Sequence, residues 1–91
     1  MRNDVEILMA AIEKWGEDAQ TKMVLEEMSE LQKEICKRWR GKDNLDAIAD
    51  EVADVEIMLR QLKLMLGISN EVEQHRQAKM LRLKERLEVS E

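Results

Sequence analysis

A chain of 91 residues supports one hydrophobic core and leaves no room for a second domain, so residues 1–91 read as a single domain. The absence of Pro, the presence of only three Gly and the abundance of Leu, Met, Ala, Glu, Lys and Arg exclude a β-rich fold and predict an all-α one. The net charge of −5 disfavours general nucleic-acid binding. No apolar stretch is long enough to serve as an export signal or to cross a bilayer, which points to a cytoplasmic protein with no membrane partner.

Gly16, Gly41 and Gly67 each follow an amphipathic run and divide the chain into four predicted helices, at about residues 3–15, 17–40, 45–66 and 70–89. Asn44, and Ser69 or Asn70, are the expected caps of the third and fourth. The second helix carries Val24, Met28, Leu31, Ile35 and Trp39 on one stripe, predicted to be its buried face. Lone Cys36, on the same helix, reads as a packing residue and suits a reducing compartment. The third helix has a main stripe of Ile48, Val52, Val55, Leu59, Leu62 and Leu66, with further apolar residues over most of its remaining surface. A helix apolar nearly all round is expected to be buried nearly all round. Four helices of this size do not enclose one of their own, so a bundle completed by self-association is expected, as a homodimer or a tetramer.

The second and third helices each present a Glu followed three residues later by another acid: Glu27 and Glu30 within Glu26-Glu27-Met28-Ser29-Glu30, and Glu51 and Asp54 within Glu51-Val52-Ala53-Asp54. A separation of three places both side chains on one helix face, about 60° apart. Two such pairs on facing helices converge as four carboxylates, which repel one another strongly unless a cation lies between them. Oxygen ligands select Mg2+, with Mn2+ as a substitute. Asp54 and Glu51 also lie among Ala47, Ile57, Met58 and Leu62, where an uncompensated carboxylate is costly. The competing explanation is an ordinary solvated acidic face, which suits Glu26, Glu27 or Glu30 taken alone better than it suits Asp54.

On the fourth helix His75, Lys79, Arg82 and Arg86 form a basic strip beside the apolar line Val72, Met80, Leu83 and Leu87. A polyphosphate can lie along such a strip; salt bridges to Glu71, Glu73 or Glu85 are the plainer account. Trp15 and Trp39 close the first two helices, where either can stack on a base or pack as core.

The segments LEEMSELQKEI and DEVADVEIML, with the basic stretch KMLRLKERL after them, resemble the MazG-like all-α nucleoside triphosphate pyrophosphohydrolases, whose signature reads E-E-x-x-E, a spacer, then E-x-x-D. The resemblance spans most of the chain. It implies that Glu27, Glu30, Glu51 and Asp54 are metal ligands, that Lys79 and Arg82 meet substrate phosphates, and that a nucleoside triphosphate is cleaved to monophosphate and pyrophosphate. Glu26 or Glu30 would then accept the proton of the attacking water, and Trp39 and Gln20 are candidate base-binding residues. Gln77 departs from the pattern, since larger relatives often carry Asn two residues before the phosphate-binding Lys. Two other readings stay open: a non-catalytic helical interaction module, and a phosphoribosyl-ATP pyrophosphatase-like enzyme. A di-iron bundle is excluded, because its Glu-x-x-His pairs are missing and Val72 stands three residues before the only His.

Overall fold

A computed structural model describes residues 2–90 of the chain, with side chains described as far as residue 88. Four helices follow in order: α1 (Asp4–Trp15), α2 (Glu17–Trp39), α3 (Leu45–Leu66) and α4 (Ser69–Ser90). No strand occurs among the described residues, and none of their helices is long and apolar enough to cross a membrane.

Local signals account for the boundaries. The Asn3 side chain accepts a hydrogen bond from the Glu6 backbone N–H at 2.8 Å and starts α1. Gly16 serves two helices: its N–H donates to the Ile12 carbonyl at 2.8 Å, and its own carbonyl accepts from Gln20 at 3.1 Å. It does so at φ 87°, and Gly67 ends α3 in the left-handed region at φ 66°, both conformations that a Cβ disfavours. Asn44 precedes α3 without capping it through its side chain. Its Nδ2 instead donates to the Glu34 carbonyl and to Glu34 Oε1, each at 3.0 Å, which ties the α2–α3 loop back onto α2. The first turn of α4 hangs on the Ile68 carbonyl, which accepts from Val72, rather than on a cap at Ser69 or Asn70.

Helices α1, α2 and α3 pack on one another, with α2 and α3 as the most extensive pair. The short α2–α3 loop makes these two antiparallel neighbours. Gln61, only 1% exposed, fastens α1 to α3 by donating from Nε2 to the Leu8 carbonyl at 3.3 Å. Arg60 and Asp4 add an exposed ion pair at 3.4 Å, of the kind that stabilises by well under about 1 kcal/mol. Helix α4 touches only α3, and every one of its side chains from residue 73 to residue 88 is exposed. The radius of gyration is consequently 16.6 Å, against about 12 Å for a compact chain of this length.

The buried faces differ from those expected. On α2, Val24 is buried and Leu31 half-buried, whereas Met28, Ile35 and Trp39 are exposed, Trp39 at 89%. For Ile35 and Trp39 the cause is length: α1 has 12 residues, about 18 Å, and cannot follow α2 to its end. On α3 the inward face runs through Ile48, Glu51, Asp54, Val55, Met58, Gln61, Leu62 and Met65. It is rotated from the expected stripe, so that Val52, Leu59 and Leu66, spaced by seven, face outward. A single chain therefore does not bury α3 nearly all round, and the four helices do not close into a bundle within it.

Replacing Gly67 by Ala is expected to destabilise the chain by about 1 kcal/mol through backbone strain alone, because no atom lies within 4 Å of the added methyl. Thermal unfolding checks this: the melting temperature should fall while the helix content at low temperature stays unchanged.

Candidate metal centre

The internal seam of α2 runs Gln20, Val24, Glu27, Leu31 and Glu34, alternating polar and apolar at spacings of four and three. The facing seam of α3 places Glu51 and Asp54 one turn apart on its inner side. The antiparallel pairing brings Glu27 against both. One carboxylate oxygen from each of Glu27, Glu51 and Asp54 lies within 4.8 Å of the others, and all three residues are half-buried. Octahedral Mg2+ with oxygens at about 2.1 Å requires oxygens about 3 to 4.2 Å apart, a separation these side chains can meet with small rotamer adjustments.

The electrostatics show the same crowding. Burial, then the charges of Asp54 and Glu51, contact with the Asp54 carboxyl and the charge of Glu30 push the Glu27 carboxyl above its ordinary range. Burial, followed by Asp54, Asp50, Glu30 and Glu34, raises Glu51 in the same direction. Oxygen Oε2 of Glu51 is buried and accepts no hydrogen bond. Among the described residues no Lys or Arg pairs with Glu27, Glu51 or Asp54. A buried, unpartnered carboxylate oxygen beside two further carboxylates is a donor set suited to a hard cation.

The other residues singled out from the sequence fall at varied distances from this cluster. Glu30 is exposed and outside the three-carboxylate set, although its charge reaches both Glu27 and Glu51. Glu26 and Glu30 line an open groove on α2 with Leu25, Glu27 and Ser29. Gln20 lies in the α2 seam, buried, about 10 Å along the helix from Glu27. Trp39 lies about 18 Å from Glu27 in the opposite direction, beside Ile35, Cys36 and Arg40, so the chain alone does not bring it to the carboxylates. Lys79 and Arg82 are exposed on α4, which has no contact with α2 in the same chain.

Glu34 is the residue that sequence reasoning passes over. It stands seven positions after Glu27 on the same face, and that spacing would have found it. Asn44, then Lys37 at 3.0 Å, hold its carboxyl below the ordinary range, so the chain itself compensates this one acid of the seam. Comparison with family models, with curated proteins and with solved structures finds no match to this chain.

The raised carboxyls of Glu27 and Glu51 bind protons more tightly in the folded chain than in the unfolded one. Without metal, protonation therefore stabilises the fold, and that contribution is lost as pH rises from the ordinary carboxyl value through the raised ones. In chelator the melting temperature should fall as pH rises above the ordinary carboxyl range, and Glu51→Gln should make this fall smaller. An unchanged fall in the variant would remove Glu51 from the account.

Proposed function

We propose that the chain is a magnesium-dependent nucleoside triphosphate pyrophosphohydrolase that acts on deoxynucleotides or non-standard nucleotides. The observation that carries this reading is the convergence of Glu27, Glu51 and Asp54 around the unpartnered Glu51 Oε2. The order of acids along α2 and α3, which resembles the MazG-like signature, supports it as well.

In this reading Glu27, Glu51 and Asp54 hold Mg2+, or Mn2+ in its place, and Glu30 joins them or serves as a base. When bound, the ion supplies positive charge for the phosphate oxygens and acidifies water. Glu26 or Glu30, on the open side of α2, accepts the proton of the water that attacks the α phosphorus. The bond from the α phosphorus to its bridging oxygen breaks, and pyrophosphate leaves with the electron pair. Lys79 and Arg82 neutralise the charge that develops on this leaving group. The protein works as a homodimer, with a tetramer as the larger option, in the cytoplasm.

A second reading, a helical interaction module without catalysis, draws on the exposed apolar side chains of α3 and α4. Magnesium separates the two, because a ligand that binds only the folded state raises the melting temperature. A phosphoribosyl-ATP pyrophosphatase keeps the same chemistry, and including that substrate in the assay distinguishes it.

Incubation with a panel of ordinary and modified nucleoside triphosphates should yield monophosphate and pyrophosphate only when magnesium is present, as resolved by ion-exchange chromatography. Diphosphate and orthophosphate would overturn the assigned point of attack. Asp54→Asn should reduce turnover by at least about 100-fold and abolish the rise in melting temperature with magnesium. Because the substitution removes one repelling charge, the metal-free variant should be no less stable than the parent chain.

A further inference from the structure

The folded chain exposes more surface than its mass warrants. A compact protein of 10.7 kDa exposes about 5500 Å2, whereas this chain exposes 7511 Å2. The surplus of about 2000 Å2 exceeds what one partner contributes to a standard interface, about 800 Å2, and matches the share of one subunit in an obligate dimer. Two apolar lines contribute to it: Val52, Leu59 and Leu66 along α3, and Met80, Leu83 and Leu87 along α4.

Charge identifies what covers α4. At 100° per residue, Val72, Met80, Leu83 and Leu87 occupy an arc of about 80°, crossed by Arg76, which is paired with Glu73, and His75, Lys79 and Arg82 occupy the arc immediately beside it. Any surface seated on the apolar arc therefore runs alongside these cations, and an acidic rim next to an apolar contact is its complement. The α2 helix of this chain offers that complement: Leu25, 64% exposed, stands with Glu26, Ser29 and Glu30 in one open groove. The chain's own α4 does not fill this groove, because it touches only α3.

We propose that a second copy of the chain fills it: α4 of each copy lies along α2 of the other, with Leu83 and Leu87 against Leu25, and Lys79 and Arg82 against Glu26 and Glu30. Both patches belong to one sequence, so a two-fold axis satisfies each of them twice. The cations of one copy then stand beside the carboxylate cluster of the other. Their role toward substrate rests on the pyrophosphohydrolase reading, whereas the dimer does not depend on it.

Sedimentation equilibrium of the full chain, in chelator so that no metal contributes, tests the arrangement. A mass of about 21 kDa is expected, twice that of one chain. The double substitutions Lys79→Glu with Arg82→Glu, and Glu26→Lys with Glu30→Lys, should each weaken association about tenfold or more, and the four changes combined in one chain should restore it. Restoration also shows that the reversed chains fold. Zero-length carbodiimide coupling in a mixture of nitrogen-14 and nitrogen-15 chains should join Lys79 to Glu26 or Glu30 in mixed-isotope pairs. A 10.7 kDa species at micromolar concentration overturns the proposal. A dimer indifferent to both reversals, or a Lys79 linkage confined to single-isotope pairs, overturns the exchange of α4. Dimerisation with these linkages in a chain that cleaves no nucleotide would support the interface and count only against the enzymatic reading.

Discussion

Like-charge repulsion inside the α2–α3 seam is the constraint around which the rest of the molecule is arranged. This is the most extensive helix pair in the chain, yet its facing residues include Gln20, Glu27 and Glu34 on α2, and Glu51, Asp54 and Gln61 on α3. The polar groups are handled in three ways. The amides of Gln20 and Gln61 are neutral, and one of them is spent on the α1 backbone. Glu34 receives the Asn44 amide and the Lys37 ammonium. Glu27, Glu51 and Asp54 receive nothing positive from the described residues, so solvent, protons or a cation must offset their charge.

This arrangement links stability to the candidate site. A seam of Leu and Ile at those positions would close the three-helix body more tightly, since buried charges hold a fold together less well than apolar packing of the same volume. The sequence instead retains half-buried acids in this seam. Among the described residues its buried apolar side chains are few, Val24 and Met58, and much apolar surface on α3 and α4 faces outward. Cohesion that the seam does not supply is available from association, and the helix that projects from the body also carries the basic strip.

Much of the fold was legible beforehand because its signals are local. Gly16 and Gly67 end helices where a positive φ is required, and the observed helix limits follow the glycines within about two residues. The grouping of Glu51 with Asp54 was legible for a similar reason, since residues three apart lie about 60° from each other on a helix, whereas Glu30, three after Glu27, stays exposed. Burial was less legible. Periodicity on α3 fits two stripes about equally well, and the more apolar of them, through Val52, Leu59 and Leu66, turns outward in the chain. Trp39 looked like an anchor by its spacing, but it lies beyond the reach of the 12-residue α1.

By itself the sequence determined what depends on neighbours along the chain: helix throughout, four segments, their stops, and the grouping of acids on α2 and α3 and of bases on α4. Only the tertiary structure decided what depends on the rotation and reach of whole helices. It turned the acidic stripe of α3 inward toward Glu27, recruited Asn44 to Glu34 rather than to the start of α3, and held α4 away from α2. The reason is that a helix surface can be apolar on several sides at once, and which side is buried follows from the lengths and positions of the neighbours that cover it.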